Sequence, residues 1–464
     1  MMRSNVARGT PRRRAKAERD SLSLVLNLIR SGRVATRQEI QSLAGLGRAV
    51  VADRVATLIA RGLVVEGPPG ASTGGRAPTT VQLNASAGAV IVGSVGTTTL
   101  GVGLADLSGN LLVEHHEPAD TTLGAERTLL RLTELFDWLL DDHASSREAW
   151  AIALAVPGLV GPTGGRLGAR PTLHHMPGWT DYPVAERLSD RYGAPVLVDS
   201  EVHFMAFGEL RAGHGVGRDE LVFVKVGTGI SAGLCSDGRI HRGVHGYAGD
   251  IGHVAVTDDR ATICRCGNTG CLEALAGGLA LAREGLAAAK DGRSEYLADQ
   301  LASGAGITAT HVGMGAIRGD PVSVELISRS GRLIGETLVT LIAGYDPSIV
   351  VVGGGVAQAG AILMAAIREG IYRRSRSLAT ENLMLVRSEL GKTAGLIGGA
   401  QAALEGLFAD HHLDTWIEHG SPRAPVTGGT GRSGRYRRAV DSSAGGRSAA
   451  TTRVAPHVVR TGKT

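Results

Sequence analysis

Aromatic residues make up only 3% of this 464-residue chain, and it contains just four cysteines. So few rings argue against a binding surface built on stacked aromatics. The 67 glycines point instead to close-packed small side chains and many tight turns. Four cysteines are too few for a disulfide framework in a chain of this length. No apolar run approaches the roughly 20 residues needed to span a bilayer. The basic stretch from Met1 to Arg19 is followed by neither an apolar h-region nor a small-residue cleavage site, so no secretory signal is visible. These absences describe a soluble protein of the reducing cytoplasm. Its 43% apolar content is enough for the cores of two or three domains.

The net charge of +5 is unevenly spread. Residues 420–464 carry a net +8 and residues 1–20 a net +5, which leaves 21–419 at −8. Within that acidic body, residues 21–66 are locally basic, with six arginines against Glu39, Asp53 and Glu66. Affinity for a polyanion therefore belongs to the N-terminal segment, and the tail is a second candidate.

Helical periodicity begins at Ser21, with Leu22, Val25, Leu26 and Ile29 on one stripe. Thr36-Arg37-Gln38-Glu39 is a capping box opening a second helix. After Gly45, a third helix runs from about Gly47 to Arg61 with Val51, Val55 and Leu58 inward. Leu63–Val65 and Thr80–Leu83 read as strands flanking a glycine- and proline-rich loop that carries Arg76. Three short helices alone would fit any small bundle; the ribbon after the third makes a winged helix-turn-helix over 21–84. Gly47, Arg48, Ala49 and Ala52 would then face base edges, Arg37 and Arg54 phosphates, and Arg76 a narrow minor groove. Such modules read palindromic operator DNA as dimers, so a homodimer or dimer of dimers is expected. The segment 1–20 reads as a mobile basic arm, and 409–464 as a disordered basic tail.

From Gly88 to about residue 408, strands alternate with helices, the pattern of an α/β domain. Three apolar strands run into glycine-rich turns able to cradle phosphate. These are Gly96 to Thr98, Gly227-Thr228-Gly229, and the turn containing Gly354. Each is weak evidence alone. The sharpest motif is Cys264-x-Cys266-x-x-x-x-Cys271 with His253 upstream, the donor set of a closed structural zinc site. Cys235 stands apart and reads as a small core residue.

These residues resemble the ROK family, which joins bacterial repressors and sugar kinases, over nearly all of 21–405. The resemblance is most specific in Gly249-Asp250-Ile251-Gly252-His253 and in Cys264-x-Cys266-Gly267-x-x-Gly270-Cys271-Leu272-Glu273. It implies an actin-like ATPase fold of two lobes, about 88–200 plus 395–408 and 201–394, with a sugar between them. The N-terminal unit is similar to that of the repressor branch. Family ligands to sugar hydroxyls map to Ser200, Glu201, Asp250, His253 and Glu273, with His253 serving metal and sugar together. His174 and His175 beside Trp179 lie near where the family reaches towards the sugar, but read as exposed loop residues.

Two departures weigh against phosphoryl transfer by ATP and Mg²⁺. Ser94 stands where the family's kinases carry an aspartate, and Glu201 replaces the aspartate that acts as general base. The longer side chain moves that carboxylate by about one methylene, and misplacement by ~1 Å can cost roughly 10²-fold in rate. The reading is a transcription regulator, most simply a repressor, whose effector is a sugar or sugar phosphate. The alternatives are an ATP-dependent sugar kinase and a ligand-free DNA-binding scaffold.

Overall fold

The computed structural model describes residues 11–70, 78–144, 147–158, 160–161, 179, 182–258, 260–304, 306–375 and 380–422. Helices α1 (Pro11–Arg30), α2 (Arg37–Ala44) and α3 (Arg48–Ala60) precede an antiparallel ribbon of β1 (Val64–Pro69) and β2 (Thr79–Leu83). The Thr36 capping box forms on α2: Glu39 N donates to Thr36 Oγ1 at 3.3 Å, and Thr36 N to the Glu39 carboxylate at 2.8 Å. Gly45 ends α2 at φ +64°, a conformation that favours glycine. Leu22, Val25, Leu26, Ile40, Val51, Val55 and Leu58 bury together as the core of this unit.

Two five-stranded sheets follow. The first has the order β5-β4-β3-β6-β7, from β3 (Ala89–Val95), β4 (Thr99–Asp106), β5 (Leu111–Pro118), β6 (Ala149–Val156) and β7 (Val196–Ser200). Helices α4 (Ala125–His143) and α5 (Val184–Tyr192) cover its outer face. Helix α6 (Glu201–Ala212) leads to β8 (Leu221–Val226), β9 (Ile230–Ser236) and β10 (Arg239–His241). Helices α7 (Leu272–Ala276), α8 (Gly278–Lys290), α9 (Glu295–Ala302), α10 (Ala309–Ile317) and α11 (Pro321–Tyr345) come next, then β11 (Ile349–Gly353), α12 (Ala361–Arg374) and β12 (Met384–Arg387). The second sheet reads β10-β9-β8-β11-β12. Helices α13 (Ala394–Leu407) and α14 (Asp410–Trp416) complete the described chain.

Helices α6 and α13 pack backbone to backbone, α13 against the first sheet and α6 against the second. Glycines permit this: a Cβ on Gly398 would lie 1.7 Å from the Phe204 carbonyl oxygen, and one on Gly208 2.3 Å from that of Ala394. No helix among the described residues is long and apolar enough to cross a membrane.

Two sequence expectations are corrected. Helix α1 opens at Pro11, not Ser21, so half of the segment read as a mobile arm is helical. Proline suits a first helical position, and the following Arg, Lys, Ala and Glu are strong helix formers that give no apolar stripe. The first residues of the tail read as disordered from 409 instead form α14 and a 3₁₀ turn, Ile417–His419, and residues 423–464 lie outside the described residues. Leu413, Trp416 and Ile417, at i, i+3 and i+4, bury against Phe408 and Trp150, with ring centroids 5.5 Å apart in both Trp416 pairs.

This short segment ties the N-terminal unit to the first sheet. Ser23 Oγ donates to Asp414 at 3.0 Å, Arg61 Nη1 to the Ile417 carbonyl at 3.0 Å, and the Arg30 guanidinium lies over the Phe408 ring. Apolar side chains of the three-helix unit, the first sheet and α14 form one continuous core. Trp416→Ala is therefore expected to cost about 3–5 kcal/mol of unfolding free energy in chemical denaturation. A loss below about 1 kcal/mol would show that this brace contributes little.

Candidate functional site

Strand β7 runs directly into α6, which sets Asp199, Ser200 and Glu201 at the junction of the two sheets. Asp199 is fully buried. Its Oδ2 accepts from Arg242 Nε at 2.9 Å and Nη2 at 2.6 Å, and its Oδ1 faces His203 Nδ1 at 2.7 Å. Burial alone would raise the Asp199 carboxyl, but His203 and Arg242 outweigh it and hold the group far below the usual carboxylate range. A depressed folded pKa means that the contribution to stability is full above about pH 4 and is lost as pH falls below that. Asp199→Asn should thus flatten the acid-side decline of unfolding free energy below about pH 4. An unchanged slope would contradict the assignment.

Ser200 Oγ donates to the Gly158 carbonyl at 2.6 Å. The Glu201 carboxylate is ion-paired with Lys225 Nζ, which reaches across from β8. The Lys225 side chain passes beneath the first glycine turn of the second sheet, 3.4 Å from where a Cβ on Gly227 would sit. Glu273 is buried at the start of α7. Its Oε2 accepts from Ile230 N at 3.1 Å, and its Oε1 pairs with Arg265 Nε at 2.7 Å. A Cβ on Gly229 would fall 2.0 Å from that Oε2, so a larger residue there would displace the Glu273 carboxylate. Read from sequence as a sugar ligand, Glu273 has both carboxylate oxygens already engaged by the protein. Glu273→Ala should accordingly lower stability by about 1–3 kcal/mol, because it strands a buried backbone donor; thermal unfolding checks this.

The glycine-rich turns converge. Thr97 Oγ1 lies 2.8 Å from Thr228 Oγ1, linking the turn after β3 to the turn after β8. Thr121 Oγ1 donates to the carbonyls of Gly96 and Thr97 at 3.0 and 3.1 Å, and Thr98 stays exposed beside them. Gly354, at φ +94°, brings the turn after β11 against the Val226 carbonyl, which a Cβ would approach to 2.5 Å. Ser94 is half-buried on β3 between Gly101 and Ala155.

Asp250 and His253 precede the cysteine loop, Asp250 Oδ1 4.0 Å from His253 Nε2. The other ring nitrogen, Nδ1, lies 3.5 Å from Cys264 Sγ, and Cys266 Sγ lies 3.7 Å from Cys271 Sγ. All four donor atoms fall within 4.8 Å of one another. A tetrahedron with thiolates at ~2.3 Å and imidazole at ~2.0 Å has S–S edges of about 3.8 Å and S–N edges of about 3.5 Å. The donor set thus fits one such ion. Gly267 and Gly270, at φ +90° and +73°, allow the short loop to close. Burial pushes the Cys271 thiol up to about 12 and also raises Cys264, so holding all three cysteines as thiolates calls for a cation.

On the N-terminal unit, Arg48, Ala49 and Ala52 are exposed on α3. Arg37 pairs with Glu66 at 2.9 Å. Arg54, expected at a phosphate, instead donates to Ser21 Oγ at 2.8 Å and pairs with Asp53 and Glu18, so it joins α3 to α1. Arg76, His174 and His175 lie outside the described residues. Sequence reasoning missed Lys225, Arg242, His203 and Arg265. Lys225 had left a signal, since it is the one charge in the apolar strand Leu221–Val226.

Comparison with known proteins places this geometry. The DNA-binding transcriptional dual regulator NagC of Escherichia coli is 30% identical over 388 residues, 82% of this chain and 92% of its own. A Streptomyces coelicolor glucokinase is 30% identical over 323 residues, 67% of this chain and 96% of its own. The crystal structure of a ROK family transcriptional regulator, a homolog of E. coli Mlc, superposes with a TM-score of 0.71 at 25% identity. It covers 87% of this chain and 99% of that one. The ROK family model matches residues 91–405, a span that holds the three glycine turns, the carboxylates of Glu201, Asp250 and Glu273, and the cysteine loop. The chain belongs to the ROK family.

Proposed function

We propose that this chain is a DNA-binding transcription regulator, most simply a repressor of sugar-metabolism genes, whose kinase-like cleft receives a sugar or sugar phosphate without phosphorylating it. The observation that carries the reading is the single core shared by the three-helix unit, the first sheet and α14. It gives a rigid route from the cleft to the recognition helix. A ligand between the lobes favours the closed state by its differential affinity for that state. In a homodimer, lobe movement changes the separation of two recognition helices, and half-sites one helical turn apart tolerate little change.

The cleft argues against catalysis. A general base must be free to accept the sugar hydroxyl proton, but the Glu201 carboxylate is held by Lys225. Ser94 supplies no carboxylate for metal, and Thr97 and Thr228 bond to each other across the phosphate turns. One zinc ion held by His253, Cys264, Cys266 and Cys271 would act structurally, fixing the His253 tautomer so that Nε2 faces the cleft with Asp250. A cytoplasmic location follows from thiols that must stay reduced. The kinase reading rests on the glucokinase relatives and on the surviving carboxylate at 201. ATP-dependent phosphorylation of any sugar by the unmodified chain would promote it to first place.

Asp250→Ala separates a responsive regulator from a ligand-free scaffold. It should leave operator affinity within about twofold while removing the sugar's effect on it, as read by fluorescence anisotropy with labelled duplex. A sugar response that survives the substitution would remove Asp250 from the site.

A further inference from the structure

The face of α3 turned away from its core is unusual for a helix meant to read DNA. Val51, Val55 and Leu58 point inward, and at 100° per residue the opposite side carries Ala49, Asp53, Ala56 and Ala60, with Ala52 and Val50 on its flanks. All six of those residues are exposed. Asn, Gln and Lys are absent from α3, and Arg48 at its start is its only exposed arginine. Arg54, the other long donor, is drawn to Ser21, Glu18 and Asp53. The helix therefore has little with which to form the bidentate bonds that identify guanine or adenine.

What it does present is a run of methyl groups. In the major groove only thymine offers an apolar group, its C5 methyl, and alanine is a natural contact for it. Short side chains also let the helix backbone approach the groove floor closely.

We propose that α3 selects its operator through thymine C5-methyl groups, read by Ala49, Ala52 and Ala56, with Arg48 fixing the end of each half-site. This inference rests on the DNA-binding reading above. Specificity comes from methyl packing, and the hydrogen-bond code of the purines contributes at the half-site end alone. Positions of the half-site that face the alanines should be thymine on one strand, and exclusion of water between methyl groups distinguishes thymine from uracil there.

The test uses the full-length chain and duplexes selected by it from a randomised pool. Each thymine of a selected duplex is replaced singly by deoxyuridine, which removes the methyl group and leaves every hydrogen bond in place. The substitution touches only the major-groove edge, so contacts made in the minor groove are unaffected. At two or three positions per half-site, deoxyuridine should weaken binding about fourfold each, the effect of one buried methyl group. A thermodynamic cycle then assigns the protein partner. With Ala49→Gly or Ala52→Gly, the thymine and uracil duplexes should bind alike at the matching position, whatever the substitution does to helix stability, since that acts equally on both duplexes. If every uracil duplex binds the unmodified chain within about 1.5-fold of its parent, or if the ratio persists in all the glycine variants, methyl reading is overturned while DNA binding stands. Failure to select any duplex would instead sink the DNA-binding reading, and this inference with it.

Discussion

Ala49→Glu combined with Ala52→Glu is expected to lower operator affinity by about 10³-fold or more, to the level of non-specific binding. Both residues are exposed on the outer side of α3 and touch none of its core, so the unfolding midpoint should stay within about 1 °C. Two carboxylates would enter a groove flanked by phosphates, where like-charge juxtaposition costs several kcal/mol, and specific affinity typically exceeds non-specific by 10³-fold or more. Point substitution is the sounder experiment than deleting residues 1–84. The shared core means that deletion would expose Leu413, Trp416 and Ile417, and lost binding would then be confounded with lost folding. Retention of operator affinity by the folded double variant would remove α3 from the interface.

The second large effect concerns the cysteine loop. Protein purified under reducing conditions should contain one zinc per chain by elemental analysis, and Cys266→Ser should contain close to none. Besides the ion, the loop is held by short backbone bridges, Ile263 to Thr269 and Ala255 to Cys271, and by the Arg265–Glu273 pair. Its own apolar side chain, Ile263, is 72% exposed, and its order comes from backbone turns around Gly267 and Gly270. Without the ion, His253 loses the contact that fixes its ring, and Arg265 loses its position against Glu273. The sugar response should therefore vanish, while the hydrophobic clusters of both sheets, which meet the loop only at Ile251, Val256 and Leu272, keep the chain folded. Absence of zinc from the unmodified protein would refute the assignment.

Much of this was legible in the residues. The capping box at Thr36, the apolar stripes of α1 and α3, the glycine turns and the Cys/His spacing are local signals, each set by one stretch of chain. What was not legible depends on residues distant in sequence. Arg242 meets Asp199 from 43 positions away, and Lys225 meets Glu201 from 24. No periodicity reports such pairs, although a lysine within an apolar strand and an arginine inside a metal loop are anomalies that invite the question. The start of α1 was hidden for another reason, since a run of charged and small residues has no apolar face to count. The helix at 410–416 did carry the i, i+3, i+4 pattern, but the Ser- and Gly-rich composition beyond it masked three well-placed apolar residues.

The central claim is a cleft that responds to sugar without phosphorylating it. It is tested most directly by titrating the operator complex of the full chain with a panel of monosaccharides and sugar phosphates, with and without ATP and Mg²⁺. Product formation is followed in the same samples. The account predicts that at least one sugar lowers operator affinity at least about tenfold, equally with and without nucleotide, and that no phosphorylated product accumulates. Turnover of ATP to a new sugar phosphate, or operator affinity indifferent to every compound, would contradict it.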